Sequence, residues 1–286
     1  MNVWVEAARP RTLPAAIVPV LVGTAAGGVF LPWRFAGALV VSLALQVAVN
    51  YANDYFDGVG GVDTPDRVGP RRAVASGLVP PARMKAAIGM ALGVAIAAGV
   101  GLVIAVGPEL LLVGAAAIAA ALAYSGGPRP YASAGLGEVF VFLFFGVVAT
   151  TGTAYVQAEE IPALALVASI PVGLLATAIL VVNNLRDIET DTVAGKRTLA
   201  VRLGPVWTRR LFAGLIVAAY AGVAVLAGMA PDGSWRGVLL IVSFVPAIRL
   251  VKEVRRRRGA ELVRCLGDTA ALHLVFGVAA SVALWR

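Results

Sequence analysis

The chain has 286 residues, of which 59% are hydrophobic and only 14% charged, with a net charge of +8; its mean hydropathy is +0.87. A soluble domain carries about 25% charged residues, so this composition excludes a water-soluble globular enzyme. One cysteine, Cys265, and one histidine, His273, exclude an internal disulfide and a zinc or iron site built on thiolates and imidazoles.

A membrane admits only helices or a closed barrel, and the apolar runs here are long and free of alternation, which favours helices. The first crossing is expected at 12–31, behind Arg9-Pro10-Arg11, which read as the flank of a retained span rather than of a cleavable signal. The second, 36–57, ends in Asn50-x-x-Asn53-Asp54-x-x-Asp57, and a Gly/Pro-rich basic loop with Asp63, Asp66, Arg67, Arg71 and Arg72 follows. Crossings at 84–106, 109–126, 136–156 and 161–185 come next. The last of these runs into Asn184-x-x-Asp187-x-x-x-Asp191 and then Gly195-Lys196-Arg197-Thr198. The chain closes with 207–229, the short 236–251, and 266–285, where His273 reads as a packed polar residue rather than a base. The expected fold is all-α: one polytopic membrane domain over 1–286, nine transmembrane helices around a central cavity open to the cytoplasmic side.

Of the 24 lysines and arginines, all but Arg34, Arg236 and Arg286 fall on the side of the N-terminus and the large polar loops. The positive-inside rule puts that side in the cytoplasm of a cell (inner or plasma) membrane, and an odd number of crossings leaves the C-terminus outside. Loop cations facing anionic lipid explain the net charge without nucleic acid. Arg255, Arg256, Arg257 and Arg258 read as a head-group anchor.

In each polar string, amide or acid groups stand at i, i+3 and i+7, one face of a helix aimed at one volume. Asp54, Asp57, Asp187 and Asp191 are hard oxygen donors of the kind Mg²⁺ takes one or two at a time, with water and substrate phosphate completing its shell; Mn²⁺ is the alternative ion. Asn53 and Asn184 add neutral oxygens. Two such faces would hold two ions across one diphosphate, with Arg71, Arg72, Lys196 and Arg197 meeting the remaining charge. Asp63 is a further candidate, while Asp66 serves equally as a partner for Arg67. One Asp at a helix end is commonly a cap; two matched strings, on one side and beside basic loops, favour a site.

Asn53-Asp54-Tyr55-Phe56-Asp57-Gly58 through Asp63 resembles the first aspartate-rich motif of the UbiA superfamily of intramembrane prenyltransferases. Asn183-Asn184-Leu185-Arg186-Asp187-Ile188-Glu189-Thr190-Asp191, with Gly195-Lys196-Arg197-Thr198-Leu199, resembles the second. Arg9-Pro10-Arg11-Thr12-Leu13-Pro14-Ala15, Asp66-Arg67-Val68-Gly69-Pro70-Arg71-Arg72, Tyr124-Ser125-Gly126-Gly127-Pro128 and Gly135-Leu136-Gly137-Glu138 are similar to its menaquinone branch. The longer gap from Asp57 to Asp63 is also similar to that branch.

The resemblance implies nine membrane helices and Mg²⁺-dependent transfer of a polyprenyl group from polyprenyl diphosphate to 1,4-dihydroxy-2-naphthoate. The ring carboxylate is lost as CO₂, giving demethylmenaquinone. It implies catalytic parts for Asp57, Asp187, Asp191 and Lys196, and ion contacts for these acids with Asn53, Asp54 and Asn184. Arg71, Arg72, Lys196, Arg197 and Asp63 are expected at the substrate, together with Tyr124 and Arg9; Arg9 or Arg129 would hold the acceptor's carboxylate. Tyr51, Tyr55, Phe56 and Tyr124 are candidates to face an allylic cation. Other acceptors in the same class are 4-hydroxybenzoate, homogentisate and a glycerol phosphate lipid. From another class, a transporter of a phosphorylated solute would also place polar groups on interrupted helices. Against it, the acids gather at one face and no span carries a charge near its middle.

Overall fold

The structure, a computed structural model, describes residues 2–61, 69, 71–229 and 235–285. In chain order its α-helices are α1 (Val3–Ala8), α2 (Pro14–Gly27), α3 (Pro32–Val59), α4 (Pro81–Ala105), α5 (Glu109–Ala123), α6 (Gly137–Val141), α7 (Ala149–Ala158), α8 (Ala163–Arg186), α9 (Ile188–Val193), α10 (Leu199–Met229), α11 (Phe244–Arg256) and α12 (Leu262–Leu284). A π-helical stretch, Phe142–Val148, joins α6 to α7 without a break. Proline opens α2, α3 and α4, where its missing N–H would have no partner in any case.

Among the described residues, six helical segments are long and apolar enough to cross a bilayer: Pro32–Val59, Pro81–Ala105, Gly137–Ala158, Ala163–Arg186, Leu199–Met229 and Gly259–Leu284. The helices α2 and α5 are apolar but shorter. This is a multi-pass membrane protein.

The expected stretches fall on helices, with three differences. The crossing at 207–229 is preceded by a short helical stretch from Leu199, and Gly204, at φ 71° and ψ 171°, breaks the helix between the two. The stretch 236–251 divides into a 3₁₀ segment, Trp235–Ser243, and α11, which runs on to Arg256. Short α1 and α9, too small to show an apolar period, lie beside the two polar strings.

Helix α8 forms the centre. It is apolar on nearly every side, and Ala165, Ala168, Val172, Leu175, Ala178, Val181 and Val182 are all buried, as expected for a helix surrounded by others. Without a hydrophobic drive between helices in lipid, close approach of small residues does the packing. A Cβ on Gly146 would lie 2.5 Å from the Cα of Gly173, so the π-helical stretch and α8 meet backbone to backbone.

At the end of the bundle away from the polar strings, Arg34 ties the helices together. Its guanidinium donates to the carbonyls of Val156 at 3.0 Å and Ala105 at 3.3 Å and to Glu159 at 2.8 Å. Tyr155 donates to Glu109 beside it. Four chain segments are thereby drawn shut around one end of the interior.

Candidate active site

A cavity of about 460 Å³ runs up the interior between α2, α3, α4, α5, the π-helical stretch, α7 and α8. Its deep part is lined by apolar side chains such as Val20, Ala38, Leu102, Val156 and Ile179. Its other end carries Arg9, Thr12, Gln46, Asn50, Asn53, Tyr124 and Asn183. This is the composition of a site for an amphipathic ligand: apolar lining with a few polar groups at one end. Ile96, Val100, Leu111 and Val113 line the cavity and are 40–57% exposed, so the wall that α4 and α5 form is incomplete.

The two polar strings meet at the polar end. The left-handed Gly195, at φ 72°, turns the chain after α9, a conformation glycine adopts without strain. The Lys196 N–H then bonds back to the Asp191 carbonyl at 2.8 Å. This sends the Lys196 side chain across to α3, where Nζ lies 2.8 Å from both oxygens of Asp57. Arg72 Nη2 donates to Asp57 at 3.2 Å and to Asn53 at 2.8 Å. Asp57 and Arg72 are each 6% exposed in their side chains, and Lys196 18%. A carboxylate with two cations on it, one turn beyond the cavity-lining Asn53, is a ready acceptor for anionic and metal-bound groups.

Arg9 is placed here by the N-terminal segment. It adopts the left-handed conformation, φ 54°, at the end of α1. The turn is pinned to α3, with Asn50 donating to the Ala8 carbonyl at 2.8 Å and Gln46 to Thr12 at 3.3 Å. A strained non-glycine residue held by its surroundings is characteristic of functional positions. Tyr124 lines the cavity and stands edge-on to Tyr131, which stacks on Phe140 at 4.1 Å, with Phe144 beyond. Burial pushes the Tyr131 phenol above its ordinary range, so it stays a donor, to the Ala120 carbonyl at 2.9 Å.

Several expected site residues sit elsewhere. Asp54 turns away from the cavity: its two oxygens accept the N–H groups of Ala73 and Val74, both at 2.9 Å. It clamps the loop that carries Arg72. Asn184 faces the other side of α8 and donates to Glu138 at 3.0 Å; its neighbour Asn183 lines the cavity instead. In the second string the amide toward the cavity is therefore Asn183, four residues before Asp187, and not Asn184, three before it. The shared unit is an Asn and an Asp one turn apart with an arginine between them, Asn53–Arg72–Asp57 and Asn183–Arg186–Asp187.

Arg71 is 72% exposed and looks at Glu6 at 3.7 Å. Arg197 is exposed; its N–H bonds to the Ser133 carbonyl, so it secures a loop. Arg129 is exposed as well. Tyr51 donates to the Trp4 carbonyl and is not among the cavity-lining residues; nor are Tyr55 and Phe56, which pack against the Ala73–Val74 cluster. Asp187 is buried, with both oxygens held by Arg186, and Asp191 is half-buried at the next turn. Asp63, Asp66 and Arg67 lie outside the described residues. His273 is fully buried in α12, a packed polar residue.

Residues to which the sequence assigned no role are Asn183, Arg186 and Glu138, present only within the quoted motifs, and Tyr131, Phe140 and Phe144. A signal existed for two of them: Ile179, Asn183 and Arg186 form an i, i+4, i+7 stripe. The aromatic row carried none, since Tyr131 lies in the loop before α6 and meets Phe140 only through the fold. Among the described residues no three His, Cys, Asp or Glu side chains gather to hold an ion. The donors present are hard oxygens in small numbers, which fits Mg²⁺, an ion that draws most of its shell from water and phosphate, and does not fit zinc.

The profile of the UbiA prenyltransferase family matches residues 15–275. The 1,4-dihydroxy-2-naphthoate octaprenyltransferase of Mycobacterium tuberculosis is 45% identical over 285 residues, 98% of this chain and 96% of that protein. The Escherichia coli protein of the same name is 40% identical, over 88% of this chain and 83% of that protein. Among solved structures, the apo UbiA homolog of Aeropyrum pernix superposes with a TM-score of 0.73 at 16% identity, covering 98% of both chains. The Archaeoglobus fulgidus homolog, bound to DMAPP and Mg²⁺, gives 0.70 at 16% identity over 97% of this chain and 98% of that one. From its motifs, its fold and these relatives, this chain belongs to the UbiA prenyltransferase family.

Proposed function

We propose that the protein transfers a polyprenyl group from polyprenyl diphosphate to 1,4-dihydroxy-2-naphthoate, with release of diphosphate and CO₂, forming demethylmenaquinone in its reduced form. The observation that carries this reading is the cavity: apolar along its length, with Asn53 and Asn183 lining its polar end and the Asp57, Arg72 and Lys196 cluster joined to Asn53 through Arg72. The relatives named for naphthoate octaprenyl transfer give the acceptor.

Arg72 and Lys196 bind the diphosphate and stabilise it as the C–O bond breaks. The apolar lining holds the prenyl chain and keeps water from the allylic cation, with Tyr124 and Tyr131 as the aromatic faces near C1. The naphthoate ring attacks that carbon, and its carboxylate leaves as CO₂, returning its bonding pair to the ring. Arg9, at the polar end, holds the carboxylate until then. Asp57, Asp187 and Asp191, with Asn53, would hold divalent metal. A bound Mg²⁺ supplies Lewis-acid neutralisation of the leaving diphosphate.

The remaining assignments extend the same reading. The chain is one membrane domain over 1–286 with nine crossings, its N-terminus and polar loops cytoplasmic and its C-terminus outside. The support is the charge distribution. Reporter fusions after residues 80 and 200 should both be cytoplasmic and one after residue 286 external; opposite results for the first two sink the topology. The reaction is tested with carboxyl-labelled naphthoate, purified protein, Mg²⁺ and polyprenyl diphosphate. One labelled CO₂ per prenyl transfer is expected. Transfer to 4-hydroxybenzoate with none to the naphthoate would move the acceptor assignment.

A further inference from the structure

Arg186 ends the helix that carries the cavity-lining Ile179 and Asn183, and part of its guanidinium is unused. Ile179 and Asn183 line the cavity, and Arg186 continues their stripe on α8 toward the polar end. Its side chain is 2% exposed. Nε and Nη2 donate to the two oxygens of Asp187 at 2.7 and 2.6 Å, and Nη2 also donates to Asn183 at 3.0 Å. These bonds fix the planar fork in one orientation. Nη1 is buried and has no hydrogen-bond partner among the described residues. Buried polar groups are nearly always satisfied, and leaving a charged donor unmet is costly. The niche repeats that of Arg72, also seated between an Asn and an Asp one turn apart.

We propose that Nη1 of Arg186 is a receptor for an anionic oxygen of the donor's diphosphate, so that the second string presents an arginine as the first presents Arg72. The inference rests on the prenyl-transfer reading above. The diphosphate is favoured over the acceptor's carboxylate by position. Arg186 lies one turn beyond the lining Asn183 and donates to it, and the backbone links Asp187 to Asp191 and Asp191 to Lys196, whose side chain reaches Asp57. Fixed planar donors also suit phosphate oxygens.

The test uses the full-length protein in phospholipid nanodiscs with Mg²⁺, and inorganic pyrophosphate as probe. Pyrophosphate affinity is read from protection against thermal unfolding, and Michaelis constants are measured for donor and acceptor. R186Q should weaken pyrophosphate binding and raise the donor KM by about tenfold to a hundredfold, the range for a hydrogen bond to a charged group. The acceptor KM should not move. R186K keeps the charge beside Asp187 but not the fork, and should fall between. Wild-type pyrophosphate affinity in either folded variant, no protection of the wild type, or a rise confined to the acceptor KM overturns the proposal. Loss of fold in both variants also counts against it, since a ligand receptor is not needed to fold. If the wild type binds pyrophosphate Arg186-dependently but transfers no prenyl group, the reaction reading fails and the receptor stands.

Discussion

Replacing Asp54 by Asn should weaken the fold more than it weakens metal use. Asp54 is 2% exposed, and each of its oxygens accepts one backbone N–H, from Ala73 and Val74. Asn keeps one acceptor and turns an NH₂ group against the other N–H. A charge-assisted bond is worth about 1.5–3 kcal/mol and an unmet buried donor costs about 1–3 kcal/mol. These overlap, so the net loss is about 2–3 kcal/mol. At about 2–4 °C per kcal/mol, the unfolding midpoint should fall by about 4–12 °C. The clamped loop also presents Arg72 to Asp57, so the donor KM should rise, while the Mg²⁺ concentration for half-maximal activity stays at its wild-type value. Thermal unfolding in detergent and a Mg²⁺ titration of turnover measure both. An unchanged midpoint with a higher Mg²⁺ requirement would show that Asp54 binds the ion and that its loop contacts are incidental.

Three further outcomes follow from the same geometry. Asp57→Ala and Asp191→Ala should each abolish turnover, and EDTA should abolish that of the wild type; activity in either variant, or in chelator, refutes the metal reading. Asp57→Ala should also unfold at lower temperature, because it strips a buried arginine of its carboxylate. Arg72→Ala should raise the donor KM at least tenfold, whereas Arg71→Ala, removing a solvated contact with Glu6, should change it little; equal effects would return Arg71 to the site. Gly173→Ala puts a Cβ 2.8 Å from the Phe142 ring and 2.9 Å from the Gly146 Cα, and should destabilise by about 1–3 kcal/mol. Gly214→Ala, with open space around it, is the control, and equal melting of the two removes the close-packing argument.

The apolar helical stretches and the meeting of the two polar strings were legible because hydropathy acts over many residues and averages out local detail. Asp57 and Lys196 were legible because their chemistry is scarce in an apolar chain. What escaped was the direction of individual side chains. Asp54 and Asp57 are three residues apart in one string, yet one serves the backbone and the other the cavity, and only the fold of the following loop decides between them. Asn183 and Asn184 are adjacent and chemically identical. The packing of α8 against Glu138 turns the second away and leaves the first at the cavity. Arg71 and Arg72 differ in the same way.

The incomplete wall between α4 and α5 changes what concentration means for this enzyme. With the opposite end drawn shut by Arg34, the gap beside the apolar Ile96, Val100, Leu111 and Val113 is the side from which a lipid-borne tail can enter. A long-tailed donor is then counted per phospholipid and not per litre. Its working concentration is its mole fraction in the bilayer, and encounter occurs by diffusion in two dimensions. Adding inert phospholipid at constant amounts of enzyme and donor therefore slows the reaction, although no bulk concentration has changed. A water-soluble acceptor stays on the ordinary molar scale. The two substrates of one reaction thus obey different units, and the leaving diphosphate returns to water while the product stays in the lipid.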